Sequence, residues 1–176
     1  MIRRTLSLAA FILLGLTCSA AQAFIIDLNA KLSGTSEVPA NQSLGSGLAA
    51  LTFDTDTRVL SWNIVFSGLT GPATAAHFHG PAPVGVNAPV KLDIGAISGL
   101  GSPMIGSFDF DLFGPATLEN IIELAFGLWY INIHTAAFPG GEIRGQVFQG
   151  KLVPEPEALL LLGIALVAVV ARRRRE

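Results

Sequence analysis

"RVLSWNIVF", residues 58–66, alternates along its length: Val59, Ser61, Asn63 and Val65 fall on one side, and Leu60, Trp62, Ile64 and Phe66 on the other. A period of two with one apolar side marks a strand that buries one face. Similar runs recur at 26–33, 46–53, 74–79, 90–94, 105–110, 128–134 and 142–148. Between them stand "VPANQS" (38–43), "DTDT" (54–57), "GLTGP" (68–72), "GPAPVGVN" (80–87), "SGLGSP" (98–103) and "FPGG" (138–141). Such clusters of Gly, Pro, Asn, Asp and Ser make turns. One segment departs from the pattern. In "TLENIIELAFG" (117–127), Leu118, Ile121, Ile122 and Ala125 recur at helical spacing behind Thr117, a residue type suited to an N-cap. About eight short strands joined by turns predict an all-β chain, an antiparallel sandwich or flattened barrel, with one short helix in a late connection.

The 176 residues fit one domain. Between residues 24 and 153, five basic side chains (Lys31, Arg58, Lys91, Arg144, Lys151) stand against ten acidic ones. That balance argues against nucleic-acid binding, which needs a basic face. Neither a phosphate-cradling glycine spacing nor a Ser-His-Asp set on a nucleophile elbow is present in the sequence.

Strand periodicity also sorts the chemistry-bearing residues. If Phe78 lies on the core side, His77 and His79 point to the opposite face. In 128–135, Trp129, Ile131 and Ile133 form the apolar set, leaving Tyr130, Asn132 and His134 together on the other side. In 141–147, Ile143 and Val147 face inward with Gly145 between them, so Glu142, Arg144 and Gln146 face outward. His77 and His79 could be a pair of metal ligands, a catalytic pair or only the polar face of a strand that runs into a turn, and His134 shares their outward orientation. Equally, their imidazoles could hydrogen-bond nearby backbone or Asn132 and pin the turn at Gly80-Pro81. Glu142 and Arg144 read as a cross-strand ion pair or hydrogen-bonded support for the "FPGG" loop, or else as an active-site pair. Asp54 and Asp56 offer too few carboxylates for calcium and suit a polar turn. Trp62 and Trp129 read as core aromatics.

The ends read as processing signals. "MIRR" (1–4) is a positive start, "TLSLAAFILLGLTCSA" (5–20) an uncharged apolar run, and Ala21-Gln22-Ala23 a cleavage site before Phe24. Residues 1–23 are therefore expected to be a helical secretory signal peptide, delivered to the Sec translocon and removed by signal peptidase after Ala23. Cys18 lies inside it, and Gly15-Leu16-Thr17 is not a lipoprotein box, so the exported chain carries no thiol. At the other end, "VPEPEALLLLGIALVAVVARRRRE" (153–176) sets a Pro-Glu-Pro before the uncharged run 158–171 and four arginines, Arg172, Arg173, Arg174 and Arg175. As a helix the run spans only about 21 Å, against about 30 Å of hydrocarbon. Its arginine flank nonetheless suits a short transmembrane helix whose end stays cytoplasmic.

This tail resembles the PEP-CTERM sorting signal of Gram-negative bacteria, read by the membrane-embedded exosortase. The resemblance implies that Pro154, Glu155 and Pro156 mark the processing region and that 158–171 holds an inner-membrane intermediate. The span is then removed and the protein reaches the cell surface or exterior. A permanent single-span anchor is the other reading. "LSGTSEVPAN" (32–41), "SGLTGPATAAHFHGPAPVGVNAPV" (67–90) and "GLWYINIHTAAFPGGEIRGQV" (127–147) resemble the CHRD domain over about residues 28–149. The expected layout is signal peptide 1–23, CHRD domain 24–152 and sorting signal 153–176.

That resemblance implies an immunoglobulin-like β-barrel with a limited likeness to copper/zinc superoxide dismutases. By that likeness His77, His79 and His134 could hold copper or zinc, with Arg144 nearby and Asn132 and Glu142 in support. The chain departs from a dismutase in having no fourth histidine, no evident zinc cluster and no disulfide. Two functions follow as expectations. One is a noncatalytic envelope or extracellular-matrix module meeting exopolysaccharide or matrix proteins, and the other is a copper- or zinc-binding protein.

Overall fold

In the computed structural model of the chain, residues 24–113 and 118–150 are described. The expected signal peptide with Ala23, the expected cap Thr117, and the tail with Pro154, Glu155, Pro156, the 158–171 run and Arg172–Arg175 lie outside the described residues. Three long strands open the fold: β1 (Ile25–Ser33), β2 (Ser46–Asp54) and β3 (Val59–Ser67). Their antiparallel register places Leu28 beside Leu51 and Leu51 beside Trp62, with Ala30, Ala49 and Ile64 in the next row. Every second residue of these strands is therefore buried on the same side. At the β2–β3 turn the Asp54 carboxylate accepts the N–H groups of Asp56 (2.8 Å) and Thr57 (3.1 Å), a polar turn.

The chain continues through β4 (Ala73–His79), β5 (Val90–Asp93), α1 (Ile94–Ser98), β6 (Met104–Asp109), α2 (Phe110–Phe113), α3 (Leu118–Ala125), β7 (Tyr130–Thr135), β8 (Ile143–Gln146) and β9 (Phe148–Gln149). All pairings are antiparallel, in the order β5-β4-β7-β8-β1-β2-β3-β6, with β9 also on β1. The single sheet curls into a half-barrel, so the chain is all-β with a few short helices. α1 packs against both β4 and β6 and so bridges the two ends of the sheet. There the Trp62 indole N–H donates to Ser98 Oγ (2.9 Å). Gly106 lies beneath that indole, where a Cβ would come within 2.8 Å of the ring.

Three boundaries differ from the sequence reading. Ile94 and Phe110, expected as strand ends, begin α1 and α2. In each case the aspartate just before captures the N–H groups of the next turn: Asp93 accepts from Ala96 (2.9 Å), and Asp109 from Asp111 (2.8 Å) and Leu112 (3.1 Å). The run 142–148 divides in two because the Val147 N–H turns to the Trp129 carbonyl (2.9 Å) before Phe148 joins β1. α3 also presents a different face from the one its spacing suggested. Ile122 is exposed while Glu123 is buried, because the carboxylate accepts from the Trp129 indole N–H (2.7 Å) and pairs with Lys91 Nζ (2.8 Å).

The core lies within the curl of the sheet. A chain of ring contacts crosses it from Trp62 to Phe78 (5.8 Å between centroids), Trp129 (5.9 Å), Phe110 (6.3 Å) and Phe53 (6.2 Å). Both tryptophans are core residues. The opposite face of β4, β7 and β8 is a second layer, and it is polar.

Candidate metal centre

β7 runs between β4 and β8, and register fixes what meets on the face away from the core. One row carries His79, Tyr130 and Gln146, the next His77, Asn132 and Arg144, and His134 stands opposite Ala75. Phe78, Ile131 and Ile133 fill the other side of the same strands. His77, His79 and His134 are therefore neighbours, all half-buried. One ligand nitrogen from each lies within 4.8 Å of the other two.

Backbone carbonyls orient two of these rings. His79 Nδ1 donates to the Ala88 carbonyl (3.0 Å) and His134 Nδ1 to the Pro139 carbonyl (3.0 Å). An N–H at Nδ1 leaves a bare lone pair at Nε2 in the neutral ring. His134 Nε2 lies 3.1 Å from His77 Nδ1, whereas His79 Nε2 is buried with no hydrogen-bond partner among the described residues. Burial pushes both His79 and His134 below the ordinary histidine value, against the raising effect of the Ala88 and Pro139 carbonyls. The neutral, metal-ready form of each ring is thereby favoured.

Beside the histidines is a polar layer that periodicity assigned to the outside. Tyr130, Asn132, Arg144 and Gln146 lie on the face away from the core, yet they are buried, as is Glu142. The 80–89 segment joining β4 to β5 folds back over Tyr130, Arg144 and Gln146. Arg144 donates to the Val86 carbonyl (2.7 Å) and Asn87 Oδ1 (2.9 Å), and its guanidinium lies 3.4 Å from the Tyr130 ring centre. Tyr130 Oη accepts from the Ala88 N–H (3.1 Å), and Gln146 Nε2 donates to the carbonyls of Ala82 (2.9 Å) and Gly127 (2.6 Å). The His79 and Tyr130 rings are stacked, 4.8 Å apart and inclined by 3°. Since β4 and β8 flank β7, His79 and Arg144 take opposite sides of that ring.

Glu142 and Arg144 make separate attachments, not an ion pair with each other. Glu142 is fully buried and accepts from Ser43 Oγ (2.6 Å), the Thr70 N–H (2.7 Å), Thr70 Oγ1 (2.8 Å) and Thr135 Oγ1 (2.5 Å). Burial pushes its carboxyl up, but the hydrogen bonds from Ser43, Thr135 and Thr70 outweigh it and hold the group below its ordinary value. Asn132 donates to the Gly140 carbonyl (3.4 Å), and its Oδ1 is buried without a partner among the described residues.

Glu37, which the sequence reading did not single out, is also buried, and its Oε1 likewise lacks a partner among the described residues. Burial drives its carboxyl from 4.5 up to about 7, against the lowering effects of the Arg144 charge and the Val38 N–H. Glu37 Oε1 and the Asn132 amide crowd Gly141, whose φ of 131° is left-handed and whose Cβ, if present, would come within 2.6 Å of both. Ser43, Thr70, Thr135 and Asn87 were likewise missed. The available signal was the alternation of polar with apolar residues on β7 and β8, which marks a second face without saying whether a loop covers it.

A family model for the CHRD domain matches residues 28–147, and one for the PEP-CTERM protein-sorting motif matches residues 152–175. The second match takes in the Pro-Glu-Pro and all four arginines of the tail. No curated protein and no solved structure matches the chain.

Proposed function

The chain belongs to the CHRD domain family, and on that premise we propose that it is a noncatalytic surface or matrix module, exported and sorted by exosortase. The observation that carries this reading is the sorting motif at 152–175, directly after a domain that ends at 147. Such a tail gives the protein a definite itinerary. The Sec translocon and signal peptidase handle the N-terminal segment, the 158–171 run holds the inner membrane transiently, and exosortase acts near Pro154-Glu155-Pro156. The domain is then delivered to the surface or exterior of a Gram-negative cell, where exopolysaccharide or matrix proteins are its partners.

The noncatalytic part of the reading is supported by what the buried polar side chains do. Arg144 holds the 80–89 segment through Val86 and Asn87, and Glu142 holds Ser43, Thr70 and Thr135. A side chain whose hydrogen-bonding capacity is taken up by its own fold stabilises that fold and has little left for a substrate. The test is to replace Arg172–Arg175 by glutamine in the native host and follow the protein by size and fractionation. The expected result is retention of a longer, membrane-associated form. Identical size and release for variant and wild type overturn the proposal.

A further inference from the structure

We propose that His77 Nδ1, His79 Nε2 and His134 Nε2 bind one borderline transition-metal cation, copper(II) or zinc(II). This goes beyond the sorting and matrix reading and does not rest on it.

Four observations carry the site. First, one ligand nitrogen from each ring lies within 4.8 Å of the other two, and the three rings come from two paired strands, so the sheet itself sets their spacing. Second, His79 and His134 each give Nδ1–H to a backbone carbonyl. Histidine ligands of metals nearly always make such a bond through the other ring nitrogen, which fixes both tautomer and ring direction. Third, His79 Nε2 is an acceptor buried without a partner among the described residues, a costly arrangement that a cation would relieve. Fourth, His77 Nδ1 and His134 Nε2 are already 3.1 Å apart. A tetrahedral ion with bonds of about 2.0–2.1 Å needs its ligand nitrogens about 3.3 Å apart, so this edge is formed and only His79 has to close.

The donor set selects the metal. Three imidazoles without a carboxylate or thiolate in the group suit copper or zinc and not calcium or magnesium. Three protein ligands leave a fourth position for water, as in open zinc sites. Without metal, His77 donates its Nδ1–H to His134 Nε2. On binding, that proton moves to His77 Nε2, so the ring changes tautomer without changing charge. The Arg144 guanidinium and the His79 ring both lie against the Tyr130 ring, which separates them.

The test is a titration of the metal-free, untagged full chain, kept in mild detergent, with copper(II) and separately with zinc(II). His79→Ala and His134→Ala are titrated in parallel. The expected result is one ion per chain, copper tighter than zinc. Each variant should weaken binding by more than the roughly 10–100-fold that loss of an outer-sphere partner costs. Copper(II) in the wild type should show nitrogen hyperfine coupling from three imidazoles. Zinc should also raise the wild type's thermal midpoint, by several degrees when present at about 100 times its dissociation constant. These two wild-type readouts decide the matter even if a variant does not fold. Binding of equal strength in wild type and variants, or a wild type with neither the nitrogen coupling nor the thermal shift, overturns the proposal. Either result leaves the sorting experiment untouched.

Discussion

Glu37→Gln removes a titration that the fold has displaced. Its carboxyl is buried beside Gly141 with an Oε1 that has no partner among the described residues, close to the Asn132 Oδ1 in the same condition. Burial raises it from 4.5 to about 7. Between those values the folded protein keeps a proton that the unfolded chain gives up, so folding takes up a proton. Wild-type stability, measured relative to the glutamine variant, is therefore highest below pH 4.5 and falls as pH rises through 7. At about 1.36 kcal/mol per pH unit, the full displacement amounts to roughly 3 kcal/mol, a ceiling because relaxation and water entry soften burial. The assay is urea unfolding of both proteins at half-unit steps from pH 4 to 8.5. Subtraction is essential, because His79 and His134 have folded values below the ordinary 6.5 and lose stability in the opposite direction, as pH falls. They are common to both proteins and cancel in the difference. Parallel curves would mean that Glu37 titrates normally in the fold. A difference that grows with pH would mean that Arg144 holds the carboxylate ionised, and either outcome refutes the burial argument.

Further expectations concern the polar layer. Glu142→Ala strands the donors of Ser43, Thr70 and Thr135 and should cost more than about 3 kcal/mol, while Glu142→Gln, which keeps the shape, should cost about 1–2 kcal/mol in the same unfolding assay. Because the Glu142 carboxyl is held below its ordinary value, its contribution is present above that value and is lost as pH falls through the folded one. The acid limb of unfolding should therefore flatten in Glu142→Gln. Arg144→Lys gives up the two-pronged grip on Val86 and Asn87 and the stacking on Tyr130. Amide exchange at Ala82 and Ala88 should accelerate at least tenfold, with the core strands unchanged. Gly141→Ala places a Cβ against Glu37 and Asn132 on a left-handed backbone, and a loss of about 2–4 kcal/mol in thermal or urea unfolding is expected.

The sequence by itself determined the strands, their inward faces and the outward orientation of each of the three histidines. Alternation is a local property, written into "RVLSWNIVF" and "LWYINIHT" by the period of two that every strand imposes. It also carried the family, through "HFHGPAP" and "GGEIRGQV", and the sorting tail, through the order of Pro-Glu-Pro, apolar run and arginines. Tertiary structure alone decided which strands are neighbours, and so that β4 and β7 bring His77 and His134 to 3.1 Å while Glu142 and Arg144 part company. It decided, too, that the outward face is buried. A strand pattern separates two faces but says nothing about what covers the second. The cover here is the 80–89 segment, held by Arg144, Tyr130 and Gln146 across sequence separations of about forty to sixty residues. Glu37 shows the same limit most sharply, since a carboxylate in a polar turn cluster reads as a surface residue until distant chain at Gly141 meets it and burial shifts its proton. Pairing and enclosure are long-range, and period-two alternation cannot encode them.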